Sequence, residues 1–202
     1  VDIEREAELG QAIHSKGVMI LTGYLGHCYA QQFPLAISAS IAIEQSYGYI
    51  DGDSAALAEL CCLISALTNT PIKQSFAVTG SINQYGEVQA IGGVNEKIEG
   101  FFRLCQARGL DGRHAVIIPA ANKRNLMLKQ EVIDSVSRGL FAIYAVATVD
   151  ETLELLTGNA VGTVDKDGNY PEGSINFKAI SRLKEISDLT TDEVKDEAPY
   201  AL

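Results

Sequence analysis

Residues 48–67, GYIDGDSAALAELCCLISAL, read as an extended apolar run that breaks at Asp51-Gly52-Asp53 and restarts as a helix with Ser54 in its first turn. From residue 55 to residue 67 only Glu59 and Ser65 interrupt the apolar side chains. A helix without a polar face is one that the fold buries, so this segment is expected at the centre of the core with a hydroxyl at its N-terminus. Asp53 or Ser54 can cap the free backbone N–H groups there. The same donors, with the positive end of the helix dipole, suit an oxyanion. Ser54 therefore has two readings, a plain N-cap or a nucleophile.

A second stretch, residues 89–108, QAIGGVNEKIEGFFRLCQAR, has the same grammar. Gly92-Gly93 breaks a strand, and Asn95 can cap a helix whose core face is Ile98, Phe101, Phe102 and Cys105. Lys97 then lies in a first helical turn, the end of the dipole that disfavours a cation. Partial burial acts in the same direction, towards the neutral amine that can serve as a base. A lysine that snorkels to water is the plain alternative.

Three motifs occur in order. Asp51-Gly52-Asp53-Ser54-Ala55 fits D-G-x-S-A, Thr79-Gly80 ends a strand within SFAVTGSINQYGEVQAIGG, and Gly92-Gly93-Val94-Asn95-Glu96-Lys97 fits G-G-x-x-x-K. Ser54 and Lys97 are 43 positions apart. In these motifs, and over residues 17–158, the chain resembles the proteolytic domain of the Lon family of ATP-dependent serine proteases. The resemblance implies a Ser-Lys dyad of Ser54 and Lys97, with the Thr79 hydroxyl fixing the amine. For Asp51 it implies a bond to the lysine or a hold on the loop in an inactive form; a plain turn aspartate is the other reading. Asp53 is the second acid beside the nucleophile. Within the family the sequence is similar to the B-type branch. A-type members carry Pro before the serine, Gly two residues after it and Glu two residues after the threonine, where this chain has Asp53, Ala56 and Ser81.

Composition narrows the rest. With 202 residues, 47% of them hydrophobic, the chain can bury one good core, so a proteolytic domain over 1–160 and a polar C-terminal extension over 161–202 are expected. The net charge of −10 argues against nucleic-acid and anionic-membrane partners, which need a basic face. Cys28, Cys61, Cys62 and Cys105 form no C-x-x-C pair, and with three histidines they offer no metal-ligand spacing. Reduced cysteines in apolar helices, and no visible signal peptide or spanning segment, point to the cytoplasm. No P-loop occurs, so no cofactor is expected in this chain. The start at Val1 reads as mid-element, and the resemblance implies an AAA+ module ahead of it, to which ATP and magnesium would belong. It further implies polypeptide substrates, unfolded or damaged, and a homo-oligomer built as a hexameric ring.

Taken in order, residues 17–30 read as a helix. His27 near its end is a structural histidine rather than a base. Leu35, Ile37, Ala39, Ile41 and Ile43 alternate as a strand, residues 75–79 and 87–91 as a hairpin about 83–86, residues 115–119 and 141–146 as strands, and 122–138 and 150–157 as helices. Lys123, Arg124 and Lys129 form a small basic patch on a helix face. Residues 175–189 suit one amphipathic helix, and 190–202 read as disordered. The sum is a layered α/β fold, helices packed on a mixed sheet. Two rival functions stand beside the protease: a catalytically silent assembly module on the same scaffold, and a phosphate-binding enzyme using the Gly92-Gly93 turn.

Overall fold

The segment AVIIP at Ala115–Pro119 is apolar at every position, as a strand must be when both of its faces are covered. It forms the middle of the sheet. The computed structural model describes residues 10–44 and 47–196. In chain order the elements are α1 (Ala12–Tyr29), α2 (Ala56–Thr68), β1 (Phe76–Val78), β2 (Ser81–Ile82), β3 (Val88–Gln89), α3 (Val94–Arg108), β4 (Ala115–Pro119), a 3-10 turn (Ala120–Asn125), α4 (Gln130–Ser137), β5 (Ala142–Val146), α5 (Val149–Thr157) and α6 (Ile175–Asp196). The strands β1, β4 and β5 pair in parallel in the order β1-β4-β5, and β2 and β3 form a separate antiparallel hairpin.

Side chains alternate across β4 and so divide the core in two. Val116 and Ile118 meet Val94, Ile98, Phe102 and Cys105 of α3, with Val132 and Phe141. Ile117 points the other way, into a larger cluster built on Leu57, Leu60 and Ile64 of α2 and joined by α1, α5 and α6. The result is an α/β/α arrangement in which α2 is packed as its apolar sequence requires; only Cys62 and Ala66 of its interior are exposed. Gly17 lets α1 pass close to the start of α2, since a methyl group there would lie 3.5 Å from the Cβ atoms of both Ala56 and Asp53. Glu59 is the one charge on the inner face of α2, and it is buried against His14 of α1 at 2.8 Å.

The α/β layering is as the sequence indicates, with several differences in detail. The strands do not form one mixed sheet. Residues 75–79 do not pair with 87–91; β1 joins β4, and the hairpin begins only after Gly80, where the chain changes direction. Residues 37–43 alternate between half-buried and exposed, as a strand over 35–43 would, but no named strand is assigned to them among the described residues. Helix 122–138 is broken: Leu126 and Lys129 are extended, which lets Leu126 and Leu128 reach the α3 cluster before α4 begins. No helix among the described residues is long and apolar enough to cross a membrane.

The core also continues past residue 160. Val161, Ile175, Ala179 and Leu183 belong to the cluster around α2, and Tyr29 Oη donates to Asn176 Oδ1 at 2.8 Å. Helix α6 runs to Asp196, so the segment read as disordered from residue 190 is helical that far; residues 197–202 lie outside the described residues. Leu183 is 2% exposed, and we expect Leu183→Ala to lower unfolding free energy by about 2–5 kcal/mol, measured by urea denaturation. A loss under about 0.5 kcal/mol, the range of a surface change, would show that α6 is an appendage.

Candidate active site

The turn before α2 is fixed by backbone bonds. Ala56 N–H donates to the Asp53 carbonyl at 3.1 Å, Gly80 N–H to the Ser54 carbonyl at 2.8 Å, and Leu57 N–H to the Gly80 carbonyl at 3.1 Å. Gly80 thus joins the end of β1 to the start of α2. A Cβ at Gly80 would lie 2.9 Å from Leu57 Cδ2 and 3.2 Å from Val88 Cγ1, so a larger residue there would have to displace buried side chains. Neither Asp53 nor Ser54 caps the helix. The N-cap position falls to Ala55, with no side-chain cap, because both candidate side chains are engaged elsewhere.

Lys97 is positioned by a second clasp. Gly93 takes a left-handed conformation (φ 67°) as N-cap of α3, and Lys97 N–H donates to its carbonyl at 3.1 Å. Asn95 is not the cap. Its amide donates to the Asn125 carbonyl at 3.1 Å and its oxygen accepts from Met127 N–H at 2.8 Å, tying α3 to the segment after the 3-10 turn. Buried Asn122 grips the approach to α3: Ile91 N–H donates to its Oδ1 at 2.9 Å, and its Nδ2 donates to the Ile91 carbonyl at 3.0 Å.

These constraints bring together residues that are far apart in sequence. Lys97 Nζ donates to Ser54 Oγ at 2.6 Å and reaches Thr79 Oγ1 at 3.5 Å. Thr79 Oγ1 donates to the Ser54 carbonyl at 3.2 Å, while Thr79 N–H is held by the Ile117 carbonyl at 3.0 Å. The three side chains border an open cavity of about 250 Å³ floored by Ala77, Val78 and Val116, at the carboxyl end of β1. Lys97 as a whole remains an exposed residue. Lost hydration at its amine lowers its pKa from the ordinary lysine value, and the nearby Asp53 carboxylate opposes that shift.

The other sequence candidates lie differently. Asp53 is turned to Ser81, whose Oγ donates to its Oδ2 at 2.9 Å. Asp51 is exposed and forms no hydrogen bond or ion pair with Lys97 among the described residues. His27 packs edge-on against Tyr85 at 5.3 Å. Lys123 and Arg124 are exposed, and Lys129 pairs with Glu99 at 3.5 Å. A larger cavity of about 310 Å³ between α1 and α6 is bordered by Cys28, Phe33 and Tyr170, away from this pair. Asn122 had no sequence signal as a site residue, since it acts through Ile91, 31 positions away, and the sequence marked Ser81 only as a departure from the A-type pattern, not as the partner of Asp53.

An α/β domain that sets a serine hydroxyl against a lysine amine in an open cleft at the end of a parallel strand has the form of a proteolytic domain. The family model for the Lon protease (S16) C-terminal proteolytic domain matches residues 40–158, and the chain belongs to that family. It is similar to a Lon protease homologue of Escherichia coli K12, 52% identical over 77% of this chain and 26% of the relative. It resembles a homologue from Haemophilus influenzae at 45% identity over 91% of this chain and 30% of the relative. An archaeal Lon protease of Methanocaldococcus jannaschii is 44% identical over 57% of this chain and 15% of its own length. The chain therefore spans under a third of each of these relatives.

Asn122→Ala would leave both polar backbone groups of Ile91 without their side-chain partner. We expect a loss of about 1–3 kcal/mol in stability, together with weaker capture of Ser54 by a serine-directed phosphonate, because Lys97 follows Ile91 in the chain. Unchanged melting and capture would show that the clamp is dispensable.

Proposed function

We propose that this domain hydrolyses peptide bonds through an acyl-enzyme, with Ser54 as nucleophile and Lys97 as general base. The observation that carries this reading is the 2.6 Å contact between Lys97 Nζ and Ser54 Oγ, within the reach a base needs to take a proton. The neutral amine takes the hydroxyl proton, and Ser54 Oγ bonds to the substrate carbonyl carbon. Collapse of the tetrahedral adduct breaks the C–N bond as the lysine returns the proton to the departing amine. Water then adds to the ester by the same proton path and releases the acid. The N–H groups of Ser54 and Ala55, which donate to no backbone carbonyl among the described residues, are suited to the oxyanion. Thr79 touches both partners and fixes their separation.

The lysine replaces histidine in this scheme, and no aspartate is needed to orient it. Polypeptide substrates, delivery by an ATP- and magnesium-dependent AAA+ module, and a hexameric ring in the cytoplasm complete the proposal; they rest on the resemblance to the Lon family. No ATP site is proposed in this chain. A silent assembly module is the lesser reading, because such a module has no need of a close Ser-Lys contact.

Ser54→Ala is expected to abolish peptidase activity and leave the fold intact. An activity near wild type would refute the assignment. The pKa of Lys97 is lowered, so its neutral fraction at any pH below the ordinary lysine value of ~10.4 exceeds that of a free lysine. The rate should therefore rise with pH through the mildly alkaline range and level off above the Lys97 pKa. Lys97→Arg keeps the charge but cannot deprotonate in this range, and we expect almost no activity. An arginine variant retaining most of the rate would mean that Lys97 acts through charge alone.

A further inference from the structure

Two of the positions at which this chain departs from the A-type pattern, Asp53 for proline and Ser81 for glutamate, are the two ends of one hydrogen bond of 2.9 Å. Proline has no side-chain acceptor for such a bond, so Ser81 could not make it in a chain with proline at position 53. Both ends are confined. Ser81 is 3% exposed at the start of β2, and the Asp53 Cβ lies beside Gly17 of α1, 3.5 Å from where a methyl group there would sit.

Asp53 immediately precedes the nucleophile, and its carboxylate acts on the Lys97 amine. The other acids on the surrounding elements, Asp51 on the same loop and Glu96 on α3, are exposed and exert no resolved influence on it. Strands β1 and β4 present only apolar side chains to the cleft. A carboxylate left to rotate near an ammonium group favours an ion pair, which keeps the amine protonated and competes with its hydroxyl partner.

We propose that Ser81 is a positioning residue, whose hydroxyl holds the Asp53 carboxylate on the hairpin side and leaves Lys97 to Ser54. This rests on the Ser54–Lys97 reading of function and deepens it: the chain keeps an acid next to its nucleophile and restrains it with a buried serine. The acid has a consequence of its own. While fixed at Ser81 it tempers the tendency of Lys97 to lose its proton, so the two residues together set the pH at which the site becomes active.

The test compares wild type, Ser81→Ala, Asp53→Asn and the double variant by two readouts. One is the titration midpoint of Lys97, followed by NMR on the chain labelled with 13C-lysine and assigned by its absence from Lys97→Met. The other is the pH dependence of Ser54 capture by a fluorophosphonate. Ser81→Ala should raise the midpoint and slow capture at neutral pH by about tenfold, the size expected when an opposite charge gains close contact. Asp53→Asn keeps an acceptor for Ser81 and removes the charge, so it should lower the midpoint and speed capture at neutral pH. The double variant should follow Asp53→Asn, because without the acid there is nothing for Ser81 to restrain. Thermal melting establishes that each variant is folded; should Ser81→Ala not fold, Asp53→Asn alone still decides, since an unmoved midpoint there overturns the proposal. So does an unmoved midpoint in folded Ser81→Ala, or a double variant that follows Ser81→Ala. Failure of the wild type to be captured at Ser54 would instead remove the functional reading, and the proposal with it.

Discussion

Gly80 is the joint on which the site depends. Its N–H and carbonyl are both spent on the turn that opens α2, one on the Ser54 carbonyl and one on Leu57 N–H. Through them the end of a parallel strand and the start of the buried helix become one rigid unit. A Cβ there would press on a terminal methyl of buried Leu57 and on Val88, so a larger residue at the joint displaces core side chains. Everything nearby inherits its precision: Ser54 is held by its own carbonyl, and Thr79 is the residue before the joint.

Around this joint the electrostatics run against ordinary helix design. Lysine in a first turn opposes the dipole, and partial loss of water opposes its charge as well. Those two penalties favour the neutral amine, the form that the proposed proton abstraction requires. The surrounding core supports this. The sheet's two faces are each closed by helices, with Ile117 on one side and Val116 and Ile118 on the other, and the clasps at Asn95 and Asn122 attach α3 to neighbouring segments. A cleft built from segments of several braced elements can then stay open without being loose.

Much of this was legible in the residues. The unbroken apolar faces of 55–67 and 115–119 identified the buried helix and the central strand, since burial on every side leaves no other pattern. Glycine pairs and acid-glycine breaks marked where Ser54 and Lys97 enter their helices. Where the reading went astray, the cause was a competing partner. Asp53, Ser54 and Asn95 are all residues that cap helices by intrinsic preference, and all three are engaged by side chains or backbone from elsewhere in the chain. The hairpin was misplaced for a related reason: β1 is three residues long and suits any sheet that offers a free edge.

The sequence by itself determined the α/β class and the buried helix, because periodicity and glycine placement act over a few neighbouring residues, while Ser54, Thr79 and Lys97 were singled out together by the resemblance of their motifs to the Lon family. Tertiary structure alone decided that β1 joins β4, that α6 returns to the core, that Asp51 faces solvent while Asp53 faces Ser81, and that Asn122 steadies the approach to Lys97. Each of these is a choice among several locally acceptable partners. A hydrogen bond between distant residues forms only where packing brings its donor and acceptor together, and local pattern contains no record of that distance.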